Sequence, residues 1–348
     1  MVPNEAVQHT GIVQLLQHFG WIWVGLFAVD DYSGEHFEKV LMPLLSNNGI
    51  CLAFTCRIPS HDSYMTLEDI DNLASLIHLP LADRKVRTYI LYGESRTLLI
   101  LNTALFVGSY DYDDNISHQK VWIMTAQIDF ALTRFHTTWS YEYFHGALFF
   151  KIHSDEVLNF HKFLQDMKPY WTHNNGFHKI FWEQAFDCTL LDPQDPITDG
   201  ACTGEEELAS LPASLFEMRM TGHSYSIYNA VYAVAHALHA MYSSGFRHEL
   251  RDVQPWQLHP FLQGISFNNS AGEATHFNGN RKMRNAFDIM NLVTFPNKSF
   301  YMVKVGEIDP RGLEGKYINI LEDRIVWPSN SNMVWILGYS QKVLAIIV

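Results

Sequence analysis

The 348-residue sequence has only four cysteines, which is too few for a small scaffold held together by many disulfides. It also lacks any uninterrupted apolar run of the roughly 18 to 20 residues that a membrane-spanning helix needs. Its 24 basic residues are scattered among 37 acidic ones, which argues against a surface that follows nucleic-acid phosphates. The chain is nevertheless 47% hydrophobic, so its length predicts two lobes of ordinary domain size.

Common catalytic motifs are missing as well. We find no G-x-x-x-x-G-K-[ST], no G-x-G-x-x-G after a strand and no G-x-S-x-G. His236 and His239 lie one helical turn apart, but no H-E-x-x-H or C-x-x-C accompanies them, so we interpret them as packed or surface side chains. We predict that the chain is not an enzyme and uses neither a cofactor nor a metal. An α/β enzyme stays an alternative that a catalytic cluster in a cleft would support.

The first half of the chain alternates apolar strands with amphipathic helical patterns. The strand patterns lie at Trp21 to Val29, Ile50 to Phe54, Val86 to Leu91 and Val121 to Met124. Such alternation predicts a parallel sheet that helices cover on both faces.

A second block begins near Lys151 and contains helical patterns separated by a polar middle. The helical patterns are Asp155 to Met167, Ser224 to Tyr242 and Trp256 to Gly264. The stretch from Cys188 to Pro212 is acidic and rich in turn residues, which predicts a long surface loop. Strand patterns return in Phe287 to Val305, Tyr317 to Leu321 and Arg324 to Trp327.

Acidic residues follow the first predicted strand. Asp30 and Asp31 occupy the carboxyl end of that strand, where open α/β sheets bind ligands, although a single acid in such a loop is more often simply solvated. Three Asn-x-Ser sequons, at Asn115, Asn268 and Asn297, are glycosylation acceptors if the chain is secreted.

The cysteines allow one or two bridges. Cys188 and Cys202 are 14 positions apart, so a bridge would close a ring of about 15 residues and contribute about 3 kcal/mol, whereas the alternative is two reduced thiols. Cys51 and Cys56 stand five positions apart on one strand-like segment and point to opposite faces, so they do not easily pair with each other.

An ordered set of motifs over about residues 1 to 330 resembles the ligand-binding flytrap domain of class C G-protein-coupled receptors, and the vomeronasal type-2 receptors in particular. The motifs are Pro3–Glu5, Gly11–Leu26 with Asp30-Asp31 and Gly34-Glu35, Lys120–Phe130, Phe144–Leu148, Gly176–Cys188, Ala201–Glu205, Ser226–Leu238 and Phe287–Leu292.

The resemblance implies an α/β fold, a bilobed clamshell of the type I periplasmic-binding-protein kind. Each lobe would be a parallel-type sheet flanked by helices, with the first lobe incomplete. The implied division is 1–150 as the first part of the membrane-proximal lobe, 151–285 as part of the ligand lobe, 286–315 as a return to the membrane-proximal lobe, 316–330 as the last strands of the ligand lobe, and 331–348 as an unrelated tail.

The function that the resemblance implies is ligand binding by a chemosensory, pheromone-type receptor on the extracellular side of the plasma membrane. A small-molecule or peptide chemosignal would close the two lobes, and the signal would pass through a cysteine-rich neck to membrane helices and a G protein, in a receptor dimer. The sequence then represents a fragment of such a receptor. The alternative is a soluble secreted binding protein of the same fold without signalling of its own.

The resemblance also assigns roles to individual residues. Glu5, with Asn4 beside it, matches the acid that binds a ligand's α-ammonium group. Ser33 takes the place of the family's cleft tyrosine, with Tyr32 adjacent, and His223 takes the place of a basic residue that contacts a ligand carboxylate. Together these five residues form the predicted ligand site.

Two further features follow from the same resemblance. Ala126 replaces the family's second acid, so a peptide or another chemosignal is at least as plausible a ligand as a free amino acid. Cys188 is expected to pair with Cys202, and Cys51 is expected to bond to the neck domain.

Overall fold

The computed structural model describes residues 3–60, 66–111, 120–128, 140–169, 176–191, 200–211, 216–244, 254–276, 287–309 and 318–328. The predicted tail and the sequon asparagine Asn115 lie outside these ranges. No helix within them has both the length and the apolar character needed to cross a bilayer.

Eight helices and ten strands make up the described chain. The helices are α1 Glu5–His18, α2 Tyr32–Asn47, α3 Leu67–Ala82, α4 Ser95–Asp111, α5 Phe160–Asp166, α6 Gly176–Phe186, α7 Gly222–Ser243 and α8 Pro255–Gln263. The strands are β1 Trp23–Asp30, β2 Cys51–Pro59, β3 Thr88–Tyr92, β4 Val121–Met124, β5 Leu148–Ile152, β6 Ser266–Asn268, β7 Ala274–His276, β8 Phe287–Thr294, β9 Phe300–Ile308 and β10 Ile318–Ile320.

Eight of the strands form one sheet in the order β10-β9-β8-β5-β4-β3-β1-β2. The strands β2, β1, β3, β4 and β5 are parallel, whereas β8, β9 and β10 add antiparallel pairs beside β5. The predicted parallel sheet is confirmed, and four of its strands coincide with the four predicted strand patterns to within a few residues, apart from a longer β2.

Both faces of this sheet are buried, because alternate side chains of each strand enter different cores. Leu26 and Ala28 of β1 pack with α1 and α2, whereas Phe27 between them packs with α3 and α4. The same alternation separates Ile123 from Trp122 on β4. Helices therefore cover the sheet on both sides, as the sequence pattern predicts.

Polar side chains fix the starts of these helices. The Asn4 side chain accepts the Ala6 N–H before α1, and the Asp31 side chain accepts the Gly34 N–H before α2. A capping box between Thr66 and Asp69 begins α3. Because α1 and α2 pack on the same sheet face, their starts determine which side chains reach its edge.

The last described strand corrects part of the predicted domain division. Residues 316–330 were expected to form strands of the ligand lobe, but β10 pairs antiparallel with β9 in the main sheet. The expected strand at Arg324 to Trp327 is also wrong: a 3₁₀ turn occupies Glu322–Arg324, and an irregular segment follows. The backbone of Val326 pairs with a side chain and not with a neighbouring strand. The buried Asn291 amide donates to the Val326 carbonyl and accepts the Val326 N–H.

The described residues between β5 and β8 form a different kind of structure. They contain α5 to α8 and the two-stranded antiparallel pair β6–β7, and none of them adds a strand to the main sheet. The predicted surface loop contains the Cys188–Cys202 disulfide, with Cα atoms 5.0 Å apart. The packing of Gly222 ties this region to the sheet, since a Cβ there would collide with Ile152 at the end of β5.

Core packing generates a direct test of the two-sided sheet. Leu101 on α4 is fully buried in the core formed with α3, whereas Leu79 on α3 is 77% exposed. We expect Leu101→Ala to lower the free energy of unfolding by about 2–5 kcal/mol, because it removes buried methyl groups and leaves a cavity. The control Leu79→Ala should change it by about 0.5 kcal/mol or less. Urea unfolding measures both values, and equal losses would contradict the packing described here.

Candidate functional site

The main sheet has a topological switch point between β1 and β3. The chain goes from β1 to β2 on one side and then returns to β3 on the other, and the carboxyl edge at such a point is where open α/β sheets bind ligands. Asp31 and Ser33 follow β1, and Tyr92 and Glu94 lie at the end of β3 and just after it. We call this edge the switch-point site.

The first turn of α1 and the loop after β4 add further residues to the site. Glu5, Gln8 and His9 lie three and four positions apart on α1 and so share one face. The side-chain oxygen Oε1 of Gln8 accepts the Ala126 N–H at 2.9 Å, which fixes α1 to the loop after β4. The Gln127 amide nitrogen lies 3.2 Å from Glu5 Oε1 and donates to it. Three loops and one helix thus converge on the same edge.

Close packing brings α2 to this edge. A Cβ on Gly34 would collide with the carbonyl oxygen of Val29, so only glycine permits the first turn of α2 to lie so near the end of β1. Asp31 holds that turn by accepting hydrogen bonds from Ser33 Oγ at 2.6 Å and Gly34 N at 2.8 Å. The motif Asp-Tyr-Ser-Gly therefore has a structural role as well as a place in the site.

The ionisable groups of the site influence one another. Burial raises the pKa of Tyr92, as do Glu5, Asp31 and Glu94, while a hydrogen bond with Ser33 acts in the opposite direction. Partial burial would raise the pKa of Asp31, but hydrogen bonds from Ser33 and Gly34 outweigh it, and the pKa is lowered. The site thus combines an ionised carboxylate with a neutral phenol.

Acceptor oxygens dominate this arrangement. The Glu5, Asp31 and Glu94 carboxylates lie near enough to raise the pKa of Tyr92, and they favour a ligand that carries an ammonium or another cationic group. Buried His9 lies against Phe37, with ring centroids 5.2 Å apart, and the Phe37 ring stacks on Tyr92 at 4.1 Å. The geometry suits binding of an amine beside the stacked rings of Phe37 and Tyr92.

The five predicted ligand residues occupy different situations. Glu5 lies in the switch-point site, where it accepts a hydrogen bond from Gln127. The side-chain oxygen of Asn4 instead accepts the Ala6 N–H and caps α1. Ser33 lies in the site through its contacts with Asp31 and Tyr92, whereas the neighbouring Tyr32 is 84% exposed and stacks on His36. His223 is exposed in the first turn of α7 and, within the described ranges, shares no hydrogen bond or ion pair with the site.

The cysteines and sequons are partly described. Cys188 and Cys202 form the predicted disulfide, Cys51 is exposed at the start of β2, and Cys56 is buried. Asn268 and Asn297 are both exposed, as glycosylation acceptors must be. A bond from Cys51 to a neck domain stays a prediction.

Sequence reasoning missed Gln8, His9, Tyr92, Glu94 and Gln127. The signal for Tyr92, Glu94 and Gln127 was their position just after predicted parallel strands, the rule already applied to Asp31. Gln8 and His9 could have been found one helical turn beyond Glu5, as polar residues on the apolar face of α1.

Comparison with known proteins reveals clear relatives. A model of the receptor family ligand binding region matches residues 1–294. Vomeronasal type-2 receptor 26 of Mus musculus is 29% identical over 330 residues, covering 93% of this chain and 37% of the relative. Vomeronasal type-2 receptor 116 of Mus musculus is 26% identical over 341 residues, covering 96% and 38%. The extracellular calcium-sensing receptor of Homo sapiens is 26% identical over 381 residues, covering 99% and 34%.

These matches confirm the predicted resemblance to class C receptors and to vomeronasal type-2 receptors, and with it the fold class. The chain spans 34–38% of the length of the three relatives.

The buried histidine of the site generates a pH prediction. Burial lowers the pKa of His9, Glu5 partly opposes this effect, and His36 adds to it. Below the unfolded-state pKa of about 6.5, the unfolded chain takes up a proton that folded His9 resists, so stability falls as the pH falls. We therefore expect His9→Gln to flatten the dependence of the unfolding free energy on pH between about 7.5 and 5.5.

Urea unfolding at several pH values measures this slope. The control His239→Gln removes an exposed histidine of α7 and should keep the wild-type slope. An unchanged slope in His9→Gln would show that His9 is not held neutral by the fold.

Proposed function

The chain belongs to the receptor family ligand-binding region, and we propose that it is the extracellular ligand-binding part of a chemosensory class C receptor. In this proposal the ligand binds at the switch-point site, and its contacts favour a closed arrangement of the two lobes. The observation that carries the proposal is that Glu5 and Asp31, held by hydrogen bonds from Gln127 and Ser33, place carboxylates at the carboxyl edge of the sheet near Tyr92.

A ligand shifts a conformational equilibrium only by binding one state better than the other. Residues of the main sheet, such as Glu5 and Ser33, would hold the ligand in both states. His223 on α7 belongs to the other region of the chain, and in this proposal it contacts the ligand only on closure. This division explains why His223 shares no bond with the switch-point site in the described structure.

The chemistry of the site favours a ligand with a cationic amine, which the Glu5 carboxylate would bind by a charge-assisted hydrogen bond. Ala126 offers no carboxylate at the edge beyond β4, and its N–H already bonds Gln8. We therefore propose a peptide or another amine-bearing chemosignal beside a free amino acid. The relatives' names do not decide between these ligands, since one of them is a calcium-sensing receptor.

The receptor context is part of the same proposal. The exposed sequon asparagines Asn268 and Asn297 and the Cys188–Cys202 disulfide suit the extracellular side of the plasma membrane. We propose that the region acts in a receptor dimer and reaches a G protein only through a membrane domain. Sequencing the native transcript across both ends of this chain distinguishes such a receptor from a secreted binding protein.

Binding without turnover is also proposed. The switch-point site offers acceptors for an amine, and its carboxylates engage in capping and hydrogen bonding. Mass spectrometry of a ligand recovered after incubation should show it unchanged, and a modified product would instead indicate an enzyme.

The carboxylate of Glu5 generates the functional prediction. Calorimetric titration of the purified chain with the protein amino acids and a library of short peptides should identify an amine-bearing ligand. Glu5→Gln should weaken its binding by about tenfold or more, because a charge-assisted hydrogen bond worth about 1.5–3 kcal/mol is lost.

The matched control is Glu68→Gln, which changes an exposed acid in the first turn of α3. It should leave the affinity unchanged. Equal affinity of the wild-type chain and Glu5→Gln would exclude the proposed role of Glu5, and no binding by any amine would contradict the proposed ligand class.

A further inference from the structure

A second polar cluster lies where the chain leaves the main sheet. His153 directly follows β5, Asp155 comes two residues later, and Glu273 lies in the turn before β7. One ligating atom of each residue lies within 4.8 Å of the other two. An imidazole nitrogen and two carboxylates form a ligand set that divalent transition metals favour.

The orientation of His153 suits metal binding. Its side chain is only 8% exposed, and its Nδ1 lies 2.9 Å from Asp288 Oδ1. Because a carboxylate accepts hydrogen bonds, Nδ1 is the donor in this pair. Metal-binding histidines are commonly held by such a carboxylate on the other ring nitrogen. The remaining nitrogen, Nε2, faces Asp155 Oδ1 at 3.4 Å.

Neighbouring groups also hold Glu273 in place. The Tyr225 hydroxyl donates to Glu273 Oε2 at 2.6 Å, a bond that uses one of the two carboxylate oxygens. Asn269 Oδ1 accepts the N–H groups of Ala271 and Glu273, which fixes the turn between β6 and β7. Both the histidine and the glutamate of the cluster thus have outer partners that orient them.

Two carboxylates of the cluster, those of Asp155 and Glu273, can bind a cation, because the nearby Lys304 pairs with Asp288. Lys304 Nζ lies 2.7 Å from Asp288 Oδ1 and 3.2 Å from Glu307 Oε2, so Asp288 already has a cationic partner that it shares with Glu307. Asp155 and Glu273 then supply two negative charges beside the imidazole. Buried or half-buried carboxylates are costly unless a cation or hydrogen bonds compensate them.

We propose that His153, Asp155 and Glu273 bind one divalent transition-metal ion, for which zinc is the best chemical match. Two ligand atoms of a tetrahedral zinc ion with bonds of about 2.1 Å lie about 3.4 Å apart, and His153 and Asp155 already meet this separation. Glu273 lies within 4.8 Å of both, so it has to approach by at most about 1.4 Å, and water completes the coordination.

The proposed ion links two separate parts of the chain, since His153 and Asp155 belong to one segment and Glu273 to another. It joins the segment that follows β5 to the β6–β7 turn, which Tyr225 ties to α7. Metal binding therefore fixes α7 and the β6–β7 pair against the end of the main sheet. The proposed metal site shares no residue with the switch-point site, so a test of metal binding does not depend on the proposed ligand.

The test is zinc binding by the purified, disulfide-intact chain, measured by competition with a chromogenic chelator. We expect the wild-type chain to bind one zinc ion tightly per molecule. Asp155→Asn and Glu273→Gln should each weaken that binding by at least tenfold, and the outer-partner variant Asp288→Asn by about 10- to 100-fold. Zinc should also raise the melting temperature of the wild-type chain more than that of Asp155→Asn or Glu273→Gln.

Asp155→Asn is the main variant because its side chain is 45% exposed and its removal leaves no cavity in the core. Asp166→Asn at the end of α5 and Glu156→Gln change exposed acids nearby and should keep the wild-type affinity. The proposal is overturned if the wild-type chain binds no zinc ion tightly, or if the cluster variants bind zinc as the wild-type chain does. In either result the cluster is an ion pair only.

Discussion

Both faces of the main sheet have to be shielded from water, because each of its central strands carries large apolar side chains on both sides. Phe27 and Trp122 fill one core, and Leu26 and Ile123 fill the other. Helices must therefore cover both faces, and the charged side chains of the switch-point site lie near the ends of β1 and β3. The position of the site is a consequence of this constraint, since the carboxyl edge is where strand ends and helix starts meet.

The same constraint separates scaffold from function. The hydrogen bond from Ala126 N–H to Gln8 and the capping bonds of Asp31 hold loops in place, while Glu5 and Glu94 present charge at the edge, Glu5 with a hydrogen bond from Gln127. Loop residues at this edge lie outside both cores, so their substitution leaves the packing of the sheet undisturbed. That property suits a family whose members include both vomeronasal and calcium-sensing receptors.

Much of the sheet was predictable from the sequence because strong periodic patterns carry it. The strand predicted at Val121 to Met124 has the same bounds in the structure, and the helix starts at Asn4 and Asp31 follow ordinary capping chemistry. The short strand β10 was placed in the wrong lobe, since three residues carry no information about which sheet they join.

Parts of the structure that depend on contacts distant in sequence could not be predicted locally. No pattern shows that Asn291 bonds Val326 in place of a strand, or that the turn containing Glu273 returns to His153. The switch-point site lies between these two cases. Its strand-end residues were predictable from topology, whereas the approach of Gln127 to Glu5 needed the packed position of α1.

A crystal structure of the chain with a bound amine ligand tests the central claim most directly. The account predicts that the ligand lies at the carboxyl edge of β1 and β3, with its cationic group against Glu5 and its body beside Tyr92. A ligand bound elsewhere, with this edge unchanged, would contradict the claim that the switch-point site is where this receptor region recognises its signal.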